Sequence, residues 1–160
     1  MRWKRRSCLK GRKMAFRIFL DAGVLLDLTL KREGYPAARQ LMAWVVNGRV
    51  QAYVTPAVVQ EVARRLKEAY GAEQTKELLL ALLAEVQVID TSHTIAVSAV
   101  LSTTANMEDA LSYYTALHHK LDYFITGNKA LPIVYTPTLP VCTPEAFLRY
   151  HREEPPLKGE

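Results

Sequence analysis

Short apolar segments alternate with longer segments of helical periodicity along most of the 160 residues. Strand-like segments lie near residues 16–20, 50–54, 86–89, 122–126 and 139–142, and amphipathic helical patterns separate most of them. Strands that alternate with helices indicate crossover connections and therefore a parallel sheet. The sequence predicts an α/β fold with three layers, α/β/α, around a central parallel sheet of four to five short strands.

The positive charge of the chain is concentrated at its start. The formal net charge is +5, but 7 of the 21 basic residues lie among residues 1–14, which contain no acid. We expect residues 1–14 to form a basic, disordered tail, residues 15–150 a single domain, and residues 151–160 a second tail. Two alternatives for the first tail are a nucleic-acid-binding arm and a translation start at Met14.

The sequence favours a cytoplasmic protein. No apolar segment follows the basic tail as a secretory signal would require, and the longest apolar runs are far too short for a membrane helix. The two cysteines, Cys8 and Cys142, do not form a disulfide framework.

Oxygen-bearing side chains stand where the parallel strands should end. Asp21 directly follows the first strand, Glu61 lies in the helix after the second, and Asp109 opens the helix before the fourth. Asn128 lies just beyond the fourth strand. Since ligands bind beyond the carboxyl ends of parallel strands, we expect these four residues to converge at one edge of the sheet.

Crowded carboxylates repel one another unless a cation neutralises them. Mg2+ and Mn2+ accept oxygen ligands, and such ions can assist hydrolysis of a phosphodiester. No P-loop, dinucleotide-binding glycine pattern or Cys/His zinc spacing competes with this interpretation. The cluster therefore indicates metal-dependent cleavage of a nucleic-acid backbone.

The residues around these acids resemble the successive motifs of the PIN domain family. The motifs are LDAGVLLD at 20–27, TPAVVQE at 55–61, EDA at 108–110 and DYFITGN at 122–128, and the resemblance extends over about residues 16–148. It implies a metal-dependent ribonuclease fold, which also occurs as the toxin of VapC-type toxin–antitoxin pairs. It further implies Mg2+ or Mn2+ as cofactor, RNA as substrate, an antitoxin protein as a possible partner, and a homodimer.

The resemblance also suggests a role for individual residues. It makes Asp21, Glu61 and Asp109 the acidic metal centre, and Asn128 stands where the family usually has a fourth acid. Thr126, at the end of the fourth strand, and Glu108, beside Asp109, are candidates to support these ligands.

Two departures from the family pattern motivate a second hypothesis. After Asp21 the family favours a small hydroxyl residue and then Asn, whereas this chain has Ala22 and Gly23; Asn128 replaces a carboxylate. The first hypothesis is a PIN-type endoribonuclease. The alternative is a PIN fold whose weakened or inactive site serves as a nucleic-acid- or protein-binding module. A receiver-like domain is a third interpretation, but its phospho-accepting Asp and its Lys have no convincing counterparts.

Two of the candidate acids also have simpler interpretations. Asp21 could cap the helix that follows it, as Asp often does. Glu61 could form an exposed ion pair with Arg64 or Arg65, which lie three and four residues further along the same helix.

Overall fold

The computed structural model describes residues 15–102, 106–127 and 138–152. Within these residues the chain forms five strands and seven helices. Their order is β1 (Phe16–Leu20), α1 (Ala22–Thr29), α2 (Tyr35–Val46), β2 (Val50–Val54), α3 (Pro56–Tyr70), α4 (Ala72–Leu83), β3 (Val86–Val88), α5 (His93–Leu101), α6 (Met107–His118), β4 (Tyr123–Ile125), β5 (Val141–Cys142) and α7 (Pro144–His151).

All five strands are parallel and lie in the order β3-β2-β1-β4-β5. Strand β1 is central, and its last residue, Leu20, is in register with Ile125 at the end of β4. Helices α1 to α4 and α7 are linked by direct contacts, whereas α5 packs against α6. The predicted three-layer α/β/α fold with a parallel central sheet is confirmed.

The central strands are apolar because both faces of the sheet are covered. Ile18, Phe19 and Leu20 of β1 are almost completely buried, and so are Phe124 and Ile125 of β4. The rings of Phe19 and Phe124 stack with their centroids 4.9 Å apart. This continuous run of buried apolar residues is typical of a strand inside a parallel sheet.

Several helices begin at polar caps that follow the ends of strands. Asp21 caps α1, and Thr55 caps α3, where its Oγ1 accepts a hydrogen bond from the Val58 N–H at 3.3 Å. Thr143 caps α7 in the same way, through the Ala146 N–H. These caps satisfy backbone N–H groups that have no partner inside the helix. They also direct the amino ends of α1, α3 and α7 towards the carboxyl edge of the sheet.

Strand β4 is shorter than expected from the sequence. It covers Tyr123–Ile125 rather than 122–126, and the carboxylate of Asp122, which precedes it, accepts a hydrogen bond from the Arg17 N–H at 2.7 Å. In the described ranges, none of the helices has the length and apolarity needed to cross a bilayer. Both proposed tails lie mostly outside the described residues, so the predicted domain limits stay predictions.

Candidate metal centre

Asp21 joins the end of β1 to the start of α1 and is held by hydrogen bonds through its N–H and both of its carboxylate oxygens. Its N–H donates to the backbone oxygen of Ile125 at 3.0 Å. Its Oδ1 accepts from the N–H of Ala22 at 2.8 Å, and its Oδ2 accepts from the hydroxyl of Thr126 at 3.0 Å. The predicted capping role of Asp21 is confirmed, and the same contacts orient its carboxylate at the carboxyl edge of the sheet.

Thr126 is buried at the end of β4, with 1% of its surface exposed. Its N–H donates to the backbone oxygen of Cys142 at 3.0 Å, so the residue is anchored between the ends of β4 and β5. The Thr126 side chain therefore contacts Asp21 from a backbone that is hydrogen-bonded to β5. The contact brings the Thr126 hydroxyl to Asp21, and its role in supporting a metal ligand stays a prediction.

Asp109 and Glu108 lie in the first turn of α6. The cap of this helix is Asn106, whose Oδ1 accepts a hydrogen bond from the Asp109 N–H at 3.1 Å. Asp109 is partly buried, whereas Glu108 is exposed. Carboxylates are favoured in a first helical turn because the unpaired N–H groups there carry partial positive charge.

The acids of α6 and Asp21 influence one another electrostatically. Burial raises the pKa of Asp21; the hydrogen bonds from Thr126 and Ala22 oppose that rise, and the charge of Glu108 adds to it. Burial also raises the pKa of Asp109, and the charges of Asp21 and Glu108 raise it further. We call Asp21, Asp109 and Glu108, which are linked by these charge effects, the acidic centre.

No cationic side chain within the described ranges neutralises the two aspartates of this centre. Neither Asp21 nor Asp109 forms a salt bridge with a described residue. A buried carboxylate with like charges beside it and no counterion is costly, and a hard divalent cation with oxygen ligands would relieve that cost. The donors therefore fit Mg2+ or Mn2+ chemically.

Glu61 is engaged elsewhere. Its carboxylate pairs with Arg64 at 2.9 Å and Arg65 at 3.1 Å, and Arg64 also pairs with Glu68 at 3.0 Å. Burial alone would raise the pKa of Glu61, but the hydrogen bonds and charges of the two arginines lower it overall. The structure contains the ion pairs of Glu61 with Arg64 and Arg65 that its simpler interpretation predicted.

The three candidate ligands that the structure describes, Asp21, Glu61 and Asp109, do not form one metal-binding group. Among the described residues, no three His, Cys, Asp or Glu side chains are arranged to hold a metal ion together. Asn128 lies outside the described residues, directly after Gly127. The assignment of Glu61 and Asn128 as ligands therefore stays a prediction, as does the complete metal site.

One basic residue near this site was not singled out from the sequence. Arg32, in the loop between α1 and α2, donates from Nε to Oδ1 of Asp27 at 2.8 Å and from Nη2 to the backbone oxygen of Gly23 at 3.2 Å. A loop arginine five residues after an acid carries no distinctive sequence signal. Only the fold brings its guanidinium beside the first turn of α1.

The fold is similar to those of solved toxin–antitoxin proteins. A toxin–antitoxin complex from Klebsiella pneumoniae matches with a TM-score of 0.60 and 24% identity, covering 79% of this chain and 97% of that one. A VapBC complex from Rickettsia felis, bound to a DNA fragment from its promoter, matches with a TM-score of 0.59 and 16% identity over 80% and 98% of the two chains. A sarcin-ricin-loop-cleaving VapC toxin of Mycobacterium tuberculosis matches with a TM-score of 0.58 and 16% identity over 71% and 92%.

No curated protein matches the sequence. A family comparison does match: the PIN domain aligns with residues 17–130, which include Asp21, Glu61, Asp109 and Asn128. This range covers well over half of the chain and contains all of β1 except Phe16, the whole of β2 to β4, and the acidic centre. The chain therefore belongs to the PIN domain family.

Proposed function

We propose that the protein is a PIN-type endoribonuclease that hydrolyses RNA phosphodiesters with the help of Mg2+ or Mn2+. The observation that carries this proposal is the acidic centre itself. Asp21 directly follows β1 and Asp109 lies in the first turn of α6, burial and the charge of Asp21 raise the pKa of Asp109, and neither aspartate forms a salt bridge with any described residue. Membership of the PIN domain family supports the same chemistry.

Asp21 and Asp109 would be the principal metal ligands, with Glu61 and Asn128 completing the site. A bound divalent ion would supply Lewis-acid polarisation of the scissile phosphodiester. Asp21 is already oriented for such a role, because Ala22 and Thr126 hold its two carboxylate oxygens at 2.8 and 3.0 Å. Glu61 would have to leave Arg64 and Arg65 before it could contribute.

The fold relatives extend the proposal to a biological role. Toxin–antitoxin proteins are among the solved structures of similar fold. We propose that this chain is the toxin of such a pair, acting in the cytoplasm as a homodimer. A cognate antitoxin would inhibit it by presenting a basic side chain to the acidic centre.

Cleavage of RNA in the presence and absence of divalent ions tests the proposal. The wild-type protein should cleave single-stranded RNA with Mg2+ or Mn2+ and lose this activity in excess chelator. Asp21→Asn and Asp109→Asn should each abolish cleavage, because either change removes a negative charge from the acidic centre. Glu77→Gln, a change of an exposed carboxylate on α4, is the matched control and should cleave normally. Cleavage that survives in chelator or in both Asn variants would refute the mechanism.

A second candidate function has its own support. Gly23 provides no polar group beside Asp21, and Glu61 is held by Arg64 and Arg65. Both features fit a PIN fold that binds nucleic acid or protein without cleaving it. A titration with Mn2+ followed by thermal unfolding separates the two functions, since an ion that binds the native state raises Tm. A Tm that does not respond to millimolar Mn2+ would favour the binding module.

A further inference from the structure

Arg32 is a cation held rigidly beside the acidic centre. The Arg32 side chain is 46% exposed, yet two hydrogen bonds fix it to α1: Nε to the carboxylate of Asp27 at 2.8 Å, and Nη2 to the backbone oxygen of Gly23 at 3.2 Å. Asp27 itself is mostly buried, with 19% of its side chain exposed. The guanidinium is therefore oriented by the protein while much of its surface faces solvent.

The Arg32–Asp27 ion pair lies against two segments that adjoin Asp21. Gly23, whose backbone Arg32 contacts, lies two residues after Asp21 in the first turn of α1. On the other side, the carboxylate of Asp27 lies beside Gly127, where an added Cβ would be 3.6 Å from Oδ2. Gly127 directly follows Thr126, the hydrogen-bond partner of Asp21. Arg32 thus stands at the side of the acidic centre formed by α1 and the end of β4.

The Cβ position of Gly23 is open. Apart from its chain neighbours and the backbone of its own helix, an added Cβ would meet no atom within 4 Å, so the absence of a side chain leaves room at this position for a ligand.

A positively charged side chain near the acidic centre would assist the binding of RNA. An acidic centre repels the phosphates of RNA, and a substrate needs positive charge close to the scissile bond. A guanidinium matches the geometry of a phosphate through parallel N–H donors. The described contacts of Arg32 use two of its five N–H groups, so donors remain for a phosphate oxygen.

We propose that Arg32 binds a backbone phosphate of single-stranded RNA and positions the strand next to Asp21. Asp27 acts as the anchor that orients the guanidinium, and Gly23 provides the space for the ligand. This inference deepens the proposed ribonuclease function and rests on it for the identity of the ligand. It also makes a prediction about binding that does not require cleavage.

Binding of a fluorescent single-stranded RNA to the full chain, measured in chelator over a range of salt concentrations, tests the proposal. Removal of one phosphate contact lowers the slope of log affinity against log salt by roughly 0.7 for a single strand. Arg32→Gln should show this decrease in slope together with a severalfold loss of affinity at low salt. Arg32→Lys should retain the slope, because the charge is kept, and bind with intermediate affinity because the planar fork is lost.

The matched control is Arg49→Gln. Arg49 is also an exposed arginine, but it immediately precedes β2 and therefore lies at the opposite, amino edge of the sheet. This variant should retain the wild-type slope. Equal losses in Arg32→Gln and Arg49→Gln would mean that net charge alone is responsible, and would overturn the proposal. A loss of affinity with an unchanged slope would assign Arg32 a purely structural role and overturn it as well.

RNA cleavage and circular dichroism distinguish a failure of the Arg32 proposal from a failure of the proposed ribonuclease function. If the wild-type protein cleaves RNA but Arg32→Gln binds it with unchanged affinity and slope, the role of Arg32 is refuted and the ribonuclease stands. If Arg32→Gln loses affinity and slope while no preparation cleaves RNA, the ribonuclease fails and the phosphate site stands. If Arg32→Gln does not fold, as judged by circular dichroism, Arg32→Lys decides: unchanged affinity would overturn the proposal.

Discussion

The hydroxyl of Thr126 donates a hydrogen bond to Oδ2 of Asp21 at 3.0 Å and so joins the ends of the adjacent strands β4 and β1. This contact stabilises the ionised form of a carboxylate whose pKa is otherwise raised by burial. It also leaves the carboxylate in one defined orientation. The pair connects the stability of the central sheet to the chemistry of the acidic centre.

Replacement of Thr126 by Val should weaken both properties. Val has nearly the same shape but no donor, so the change should cost about 1–2 kcal/mol in the free energy of unfolding. The pKa of Asp21 should rise further, and Mn2+ should bind less well at mildly acidic pH. Chemical denaturation and Mn2+-dependent Tm shifts measure the two effects. Thr126→Ser, which keeps the hydroxyl, is the control; a Thr126→Val variant of full stability would show that the bond contributes nothing.

Asp21→Asn should stabilise the metal-free protein at neutral pH. The folded-state pKa of Asp21 lies above its ordinary value of 3.8, so the native state binds this proton more tightly than the unfolded chain does. The resulting stabilisation is complete below the ordinary value and is lost as pH rises through the folded-state pKa. Asn keeps the helix cap but never ionises. The stability gain of Asp21→Asn over the wild type should therefore appear as pH rises from 3.8 through the raised folded-state pKa of Asp21.

Thermal unfolding in chelator across this pH range measures the difference. The variant should have a Tm a few degrees above that of the wild type at neutral pH and no advantage in acid. Added Mn2+ should raise Tm of the wild type more than that of the variant. A variant that is less stable than the wild type at neutral pH without metal would contradict the electrostatic account of Asp21.

Two glycines near the acidic centre should respond oppositely to alanine. At Gly23 an added Cβ meets nothing within 4 Å, so Gly23→Ala should stabilise α1 by about 0.5–1 kcal/mol. At Gly34 the Cβ would collide with the carboxylate of Asp27, so Gly34→Ala should destabilise the protein, by about 1–3 kcal/mol. Urea denaturation of both variants measures these changes. Equal effects would mean that the packing around Asp27 is looser than this structure indicates.

Glu61→Gln tests whether this acid serves the metal or only its arginines. The ion pairs with Arg64 and Arg65 are exposed, and such pairs contribute little to stability. The metal-free variant should therefore unfold close to the wild type, while its Tm should respond more weakly to Mn2+. Glu68→Gln is a matched control, since Glu68 also pairs with Arg64 but lies two turns further along α3. Equal Mn2+ responses of wild type and both variants would exclude Glu61 from the metal site.

Much of the architecture could be inferred from residue patterns. The alternation of apolar strands with amphipathic helices predicted the parallel sheet, because a central strand such as β1 is buried on both faces and an amphipathic helix on one. The cap at Asp21 was recognisable since its residue type can satisfy a free N–H group at a helix start. Strand ends followed less closely from the residue pattern: Asp122 lies outside β4, and its side chain accepts a hydrogen bond from the backbone N–H of Arg17.

The acidic centre could be predicted only in part. The placement of Asp21 at a strand end and of Asp109 at a helix start followed from local sequence, and parallel topology brought their segments to the same edge. The choice of Asp109 over Glu108 did not follow from geometry, and in the structure the charge of Glu108 raises the pKa of both aspartates. Adjacent residues in a helix can both act electrostatically at a distance, even when only one of them points towards a site.

Local sequence thus accounts for the elements of this protein and for the edge at which its acids gather, because backbone hydrogen bonding and burial follow residue periodicity. The partners of individual charged side chains were decided by tertiary structure. Glu61 pairs with Arg64 and Arg65, and Arg32 lies against Gly23 and Asp27. A long charged side chain can reach several partners at similar cost, so its contact depends on which groups the fold brings within a few ångströms.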